Sequence, residues 1–110
     1  MKKITINVSD KDYELVLNRN SIKWLEANGY AYEKSASMPI TTYDLLWTVG
    51  FLANYPNMNQ EEILSLQEQY RKEKGDPSEV TSFMVSEYLA FINALADTKS
   101  LKKKAKITEI

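Results

Sequence analysis

Alternating apolar and polar residues near the start of the chain predict a β-hairpin. Ile4, Ile6 and Val8 alternate with polar residues, and a second alternating run follows at residues 13–17. The polar segment 9–12 between the two runs has the composition of a turn. Because two strands alone are only marginally stable in water, we expect the apolar face of this hairpin, residues 3–17, to pack on the rest of the chain.

Apolar residues at helical spacing, bounded by capping residues, predict four helices after the hairpin. Asn18 or Asn20 can cap the first helix, and Gly29 follows its end. After a loop over residues 30–40, Thr41 and Thr42 are the expected cap of the second helix. The last two helices begin at capping boxes, Asn59–Glu62 and Asp76–Glu79. The predicted helices span residues 19–28, 43–55, 60–74 and 77–96.

These elements predict one α+β domain, mainly α, in which the hairpin packs on a small bundle of about four helices. The domain is expected to span residues 1–97, and the lysine-rich residues 98–110 are expected to form a flexible tail. A chain of 110 residues is long enough for one domain with a core of its own.

The second and fourth predicted helices are more apolar than a surface helix requires. Apolar residues surround the second helix, which is either the central helix of the bundle or a helix with one side on another protein chain. Those of the fourth helix span an arc of roughly 240°, where little more than about 100° suffices. Since two helices show this excess, we favour a surface for self-association or client binding. The predicted members of that surface are Trp47, Phe51, Phe83, Tyr88 and Phe91.

Composition removes the parts of most enzyme mechanisms. The chain contains neither cysteine nor histidine, which excludes thiolate and imidazole catalysis and the metal sites built from those ligands. Three glycines are too few and too scattered for a phosphate-binding loop. The carboxylates, such as the adjacent Glu61 and Glu62, have the positions of capping or solvated groups. We therefore expect a binding or assembly protein, with no catalytic, cofactor-binding or metal-binding residues.

Charge is distributed unevenly along the chain. Residues 42–97 carry a net charge of −6, whereas residues 98–110 carry +4. Lys102, Lys103, Lys104 and Lys106 could contact nucleic acid or an acidic protein surface, but the acidic body and the lack of arginine and aromatic residues in the tail favour a solvated end. No apolar run is long enough to span a bilayer, and no signal-peptide pattern is present, so we expect a cytoplasmic protein.

The order of these features resembles the small tail assembly chaperones of long-tailed phages and prophages, especially those of Gram-positive hosts. The resemblance covers residues 3–96, and its most specific part is the stretch LLWTVGFLANYPNMNQEE, an apolar helix, a break at a proline and an acidic helix start. It implies a non-enzymatic protein that binds and solubilises the tape-measure protein during tail assembly and that self-associates. It also implies a longer, frameshifted form of the same chain.

Two other functions stay open at this stage. One is another small phage morphogenesis protein, such as a connector or a tube component. The other is a regulatory protein that binds nucleic acid through the lysine-rich tail.

Overall fold

The computed structural model describes the backbone of residues 2–101 and the side chains of residues 2–94. An N-terminal two-stranded antiparallel hairpin is followed by four helices, which confirms the predicted α+β, mainly α class. The bounds are β1 (Lys3–Val8), β2 (Lys11–Val16), α1 (Arg19–Ala27), α2 (Pro39–Leu52), α3 (Gln60–Lys74) and α4 (Ser78–Leu101).

The hairpin closes through a tight turn and turns one face to the core. Ser9 and Asp10 both have positive φ, 53° and 63°, as in the type I′ turn that fits the twist of paired strands. In the register of the strands, Ile6 faces Tyr13, and both are buried. The exposed side of the same ladder carries the ion pair between Lys3 and Glu14, with 2.9 Å between Nζ and Oε1.

Side chains from the segment after α2 and from α3 form hydrogen bonds with the outer edge of β2 and with the turn. The Tyr55 hydroxyl accepts a hydrogen bond from the Glu14 N–H at 3.0 Å, and the Asn54 amide donates to the Glu14 carbonyl at 2.9 Å. The Glu73 carboxylate accepts from the Ser9 N–H, with its two oxygens 3.0 and 3.2 Å from the nitrogen. These bonds connect the hairpin to the segment that follows α2 and to α3, so tertiary contacts stabilise the two strands.

Local capping signals predicted the start of α1 and both ends of α3 correctly. The Asn18 side chain accepts from the Ser21 N–H, and the Ser21 hydroxyl accepts from the Asn18 N–H, which makes a complete capping box. Asn59 accepts from the Glu62 N–H at 2.8 Å. Gly75, with φ of 92°, ends α3 in a conformation that other residues rarely adopt.

Helix α2 begins four residues earlier than residue 43 and ends before residue 55. Met38 is its N-cap without a side-chain bond, and Pro39 occupies the first turn, where its missing N–H has no partner to lose. The expected cap residues Thr41 and Thr42 therefore lie inside the helix. A single 3-10 turn, Tyr32–Lys34, interrupts the predicted loop before it.

Helix α2 is the centre of the fold. Residues 45–51 are all buried, and the helix packs against α1, α3, α4 and β2. Gly50 allows α4 to come close, because a Cβ at this position would lie 3.0 Å from Met84 Cε. The arrangement agrees with the central-helix alternative for α2.

Helix α4 is longer than the predicted 77–96. It continues to Leu101, so residues 98–101, which the sequence placed in the tail, belong to a helix. Val80 and Met84 are fully buried against the core, whereas Ile92, Asn93 and Ala94 are exposed. The first half of α4 is therefore part of the core, and the helix then leaves it.

Candidate partner-binding surfaces

Two of the five predicted surface residues, Trp47 and Phe51, are core residues. Both are 0% exposed, and their rings lie 5.4 Å apart between centroids. The Trp47 indole N–H donates to the Ile63 carbonyl of α3 at 2.8 Å, so its polar atom is satisfied inside the domain. The prediction that these two side chains form an exposed face was wrong, because four neighbouring elements already cover α2.

The other three predicted residues, Phe83, Tyr88 and Phe91, are half-buried on α4. Each packs partly against the core and keeps part of its surface accessible. The Tyr88 ring makes an edge contact with the buried Tyr30 ring, with centroids 5.2 Å apart. These aromatic side chains form the border between the core and the outward part of α4.

An apolar ridge that the sequence prediction did not single out follows this border. Val85, Leu89 and Ile92 are spaced i, i+4 and i+7, so they lie along one side of the helix. Val85 and Leu89 are half-buried, and Ile92 is 41% exposed. We call these three residues the α4 ridge. The sequence prediction selected the aromatic residues of this helix and left these three out, although all three lie within the predicted apolar arc.

The segment before α2, residues 30–38, contains exposed apolar side chains and one buried hydroxyl without a partner among the described residues. Tyr32 is 47% and Met38 46% exposed. Among the described residues, the buried Tyr30 hydroxyl has no hydrogen-bond partner. Burial, together with the nearby Tyr88 hydroxyl, raises the pKa of Tyr30. A buried hydroxyl without a partner costs about 1–3 kcal/mol, so the burial of Tyr30 lowers the stability of the fold by about this amount.

A second surface is the open groove between α2 and α3. It consists of two adjoining depressions of about 570 and 410 Å³ that share Asp44, Gln67 and Glu68. Glu61 and Leu64 line one end, and the 78%-exposed Ile40 lines the other. We call the residues Ile40, Asp44, Glu61, Leu64, Gln67 and Glu68 the α2–α3 groove.

The end of the groove beside α4 is held by a chain of polar contacts. The Tyr43 hydroxyl donates to the Asp76 carboxylate at 3.0 Å, and Arg71 lies over the Tyr43 ring at 5.5 Å. Hydrogen bonds from Tyr43 and from the Ser78 N–H lower the pKa of Asp76. Burial raises the pKa of Tyr43 above its ordinary value.

The described part of the chain offers no metal centre and no membrane span. Within it, no group of three or more acidic side chains is placed to hold a metal ion. None of its helices is both long and apolar enough to cross a bilayer. The predicted contact residues Lys102, Lys103, Lys104 and Lys106 lie outside the described residues.

Comparison with known families places the chain in a group defined by sequence. Residues 1–109 match the family described as a domain of unknown function (DUF5055), and the protein belongs to that family. No curated protein and no solved structure matches the chain.

Proposed function

We propose that this protein is a non-enzymatic tail assembly chaperone that binds and solubilises the tape-measure protein of a long-tailed phage or prophage in the host cytoplasm. The proposal rests on the sequence resemblance over residues 3–96. It also requires a surface that can hold apolar helical segments and release them again. Of the surfaces described above, the α4 ridge fits that requirement best.

The position of the ridge is the observation that carries the proposal. The first half of α4 packs on the core through the buried side chains of Val80 and Met84. The helix then continues for several turns, and Leu89 and Ile92 lie outside the core cluster. Apolar side chains at this spacing are the anchors by which one helix packs against another. A solvent-facing helix with no partner would gain nothing from them.

Charge keeps such a protein soluble while it carries exposed apolar groups. The body of the chain, residues 42–97, has a net charge of −6. Because the whole chain carries only −1, this charge acts at short range, where the acidic bodies of two copies repel each other and so limit aggregation through the ridge. The same protein is proposed to self-associate along the client, where binding to the client holds the copies together.

The test is co-expression with the tape-measure protein encoded beside it in the same genome. We expect the wild-type protein to keep the tape-measure protein in the soluble fraction. The double variant Leu89→Asp/Ile92→Asp should lose this effect by tenfold or more, since each buried aliphatic side chain contributes about 1.5–3 kcal/mol to a contact. Circular dichroism should show unchanged helicity.

A matched control is available on the neighbouring polar face of the same helix, about a quarter turn from the ridge. Ser86 and Asn93 are exposed, and Ser86→Asp/Asn93→Asp adds the same charge and the same helix-destabilising side chains. The control should solubilise the client as well as the wild type does. Equal loss in both variants would mean that charge on α4, and not the ridge, decides the result. Stable presence of the protein in finished phage particles would favour a connector or tube component instead.

A further inference from the structure

The α2–α3 groove is acidic along its length. Asp44, Glu61 and Glu68 line it, and Arg71, whose guanidinium lies over the Tyr43 ring, is the one cation among its described lining residues. Among the described residues, these carboxylates do not form a group of three that could hold a metal ion. Separate carboxylates that line one groove suit instead a ligand that carries several positive charges along its length.

The groove also contains a polar group that lacks a partner. Gln67 is 5% exposed, and its Oε1 accepts from Arg71 Nη2 at 3.3 Å. Its Nε2 has no acceptor in the part of the chain that the structure describes. The Arg71 guanidinium only donates, so the amide oxygen and not the amide nitrogen faces it. A buried N–H without an acceptor is costly, and a peptide carbonyl is the group that would satisfy it after a small rotation of the side chain.

Apolar side chains complete the surface. Leu64 is half-buried at one end of the groove, and Ile40 is 78% exposed at the other. The groove therefore contains carboxylates, an amide N–H that can donate to a carbonyl, and aliphatic side chains. Together they fit a lysine-rich peptide with interspersed aliphatic residues.

The chain itself contains such a peptide. Residues 99–107, KSLKKKAKI, hold five lysines with Leu101 and Ile107 among them. The groove is close to the start of α4, because Tyr43 bonds to Asp76. From Ser78 to Leu101 the helix rises about 35 Å, and residues 102–106 can extend by about 17 Å at most. The lysines of one chain thus cannot reach the Tyr43 end of its own groove, so a peptide that occupies the whole groove must come from another copy.

We propose that the lysine-rich segment 99–107 of one copy docks in the α2–α3 groove of a second copy. This inference rests on the proposed self-association and specifies the two surfaces that make the contact. The contact joins two different surfaces, so each copy can both donate a segment and accept one. Such head-to-tail contacts build rings or open arrays, in contrast to a closed two-fold dimer.

The experiment is sedimentation velocity on the full chain over a range of concentrations. The groove variant is Glu61→Lys/Glu68→Lys, and the tail variant is Lys102→Glu/Lys103→Glu/Lys104→Glu. We expect the wild type to associate, and each variant alone to associate at least tenfold more weakly. An equimolar mixture of the two variants should regain association, because each reversed surface then meets an oppositely charged partner. Higher salt should weaken both assemblies.

The control variant Glu26→Lys/Glu33→Lys makes the same charge change on exposed residues outside the groove and should associate as the wild type does. Thermal unfolding establishes that each variant is folded. If the wild type associates and the groove variant does so equally, the docking mode is wrong while the proposed function stands. If the groove variant instead loses only client solubilisation, the groove binds the client, which also overturns the inference. A wild type that stays monomeric at every concentration would remove both the docking mode and the proposed self-association.

Discussion

Replacing Trp47 by phenylalanine tests whether this residue belongs to the core or to a partner-binding face. The indole is 0% exposed, donates to the Ile63 carbonyl at 2.8 Å and has its ring centroid 5.5 Å from that of Tyr70. Trp47→Phe keeps an aromatic ring but removes the donor and the outer part of the indole. We expect a clear loss of stability with self-association and client binding unchanged per folded molecule.

The magnitude follows from two contributions. Loss of the buried hydrogen bond costs about 1 kcal/mol, and the lost apolar contact with the space left behind costs about 1–2 kcal/mol. The free energy of unfolding should fall by about 2–3 kcal/mol, which lowers the Tm by about 10–15 °C in a domain of this size.

Guanidinium unfolding followed by far-UV circular dichroism measures this change. Trp24→Phe is the matched control, because Trp24 is only half-buried at the edge of the core, and it should cost less than half as much. A Trp47→Phe change below about 0.5 kcal/mol, together with lost self-association, would refute the core assignment and restore the interface assignment first predicted from the sequence.

Three further predictions concern the contact between α3 and the hairpin turn and the two ends of α3. Hydrogen bonds from Gln69 and Ser9 lower the pKa of Glu73 in the folded protein, so the wild type should be more stable than Glu73→Gln. This difference in the free energy of unfolding should be largest above the pKa of the unfolded-state carboxyl and should disappear as the pH falls through the folded-state pKa. A difference in chemical denaturation that does not change with pH would contradict this. Gly75→Ala should lower the free energy of unfolding by about 1–3 kcal/mol, since its φ of 92° and ψ of −141° strain any side chain, and thermal melting measures the loss; an unchanged Tm would show that the turn relaxes freely. Asn59→Ala should cost about 1 kcal/mol by removing the cap bond to the Glu62 N–H, and Asn59→Asp should retain most of the stability in the same assay.

Features that depend on a few neighbouring residues could be predicted from the sequence. The alternation in β1 and β2 and the caps at Asn18 and Asn59 are local signals, and the structure has each of them in place. The start of α2 was misplaced because Thr41 and Thr42 are good cap residues, whereas Pro39 begins the helix without needing a side-chain cap.

Features that depend on tertiary neighbours could not be predicted in the same way. An apolar residue such as Phe51 has the same sequence pattern whether another helix of the same chain or a partner covers it. The number of elements around α2 decides between these cases, and only the fold provides it. The α2–α3 groove was likewise hidden, because Asp44 and Glu68 are far apart in the sequence and meet only when the two helices pack.

The α4 ridge shows how the two kinds of information combine. The sequence indicated an apolar excess on the fourth helix, which the structure divides into core residues such as Val80 and outward residues such as Ile92. The excess on α2 is explained by burial, whereas part of the excess on α4 is not. For this reason we assign the proposed client-binding surface to α4 and not to α2.

Amide hydrogen exchange of the co-expressed complex with the tape-measure protein is the most direct test of the central claim. Relative to the free protein, we predict added protection in peptides that cover residues 83–94, with α1 (Arg19–Ala27) unchanged as the internal reference. A complex that forms with no added protection over residues 83–94 would contradict the assignment of the α4 ridge as the client-binding surface.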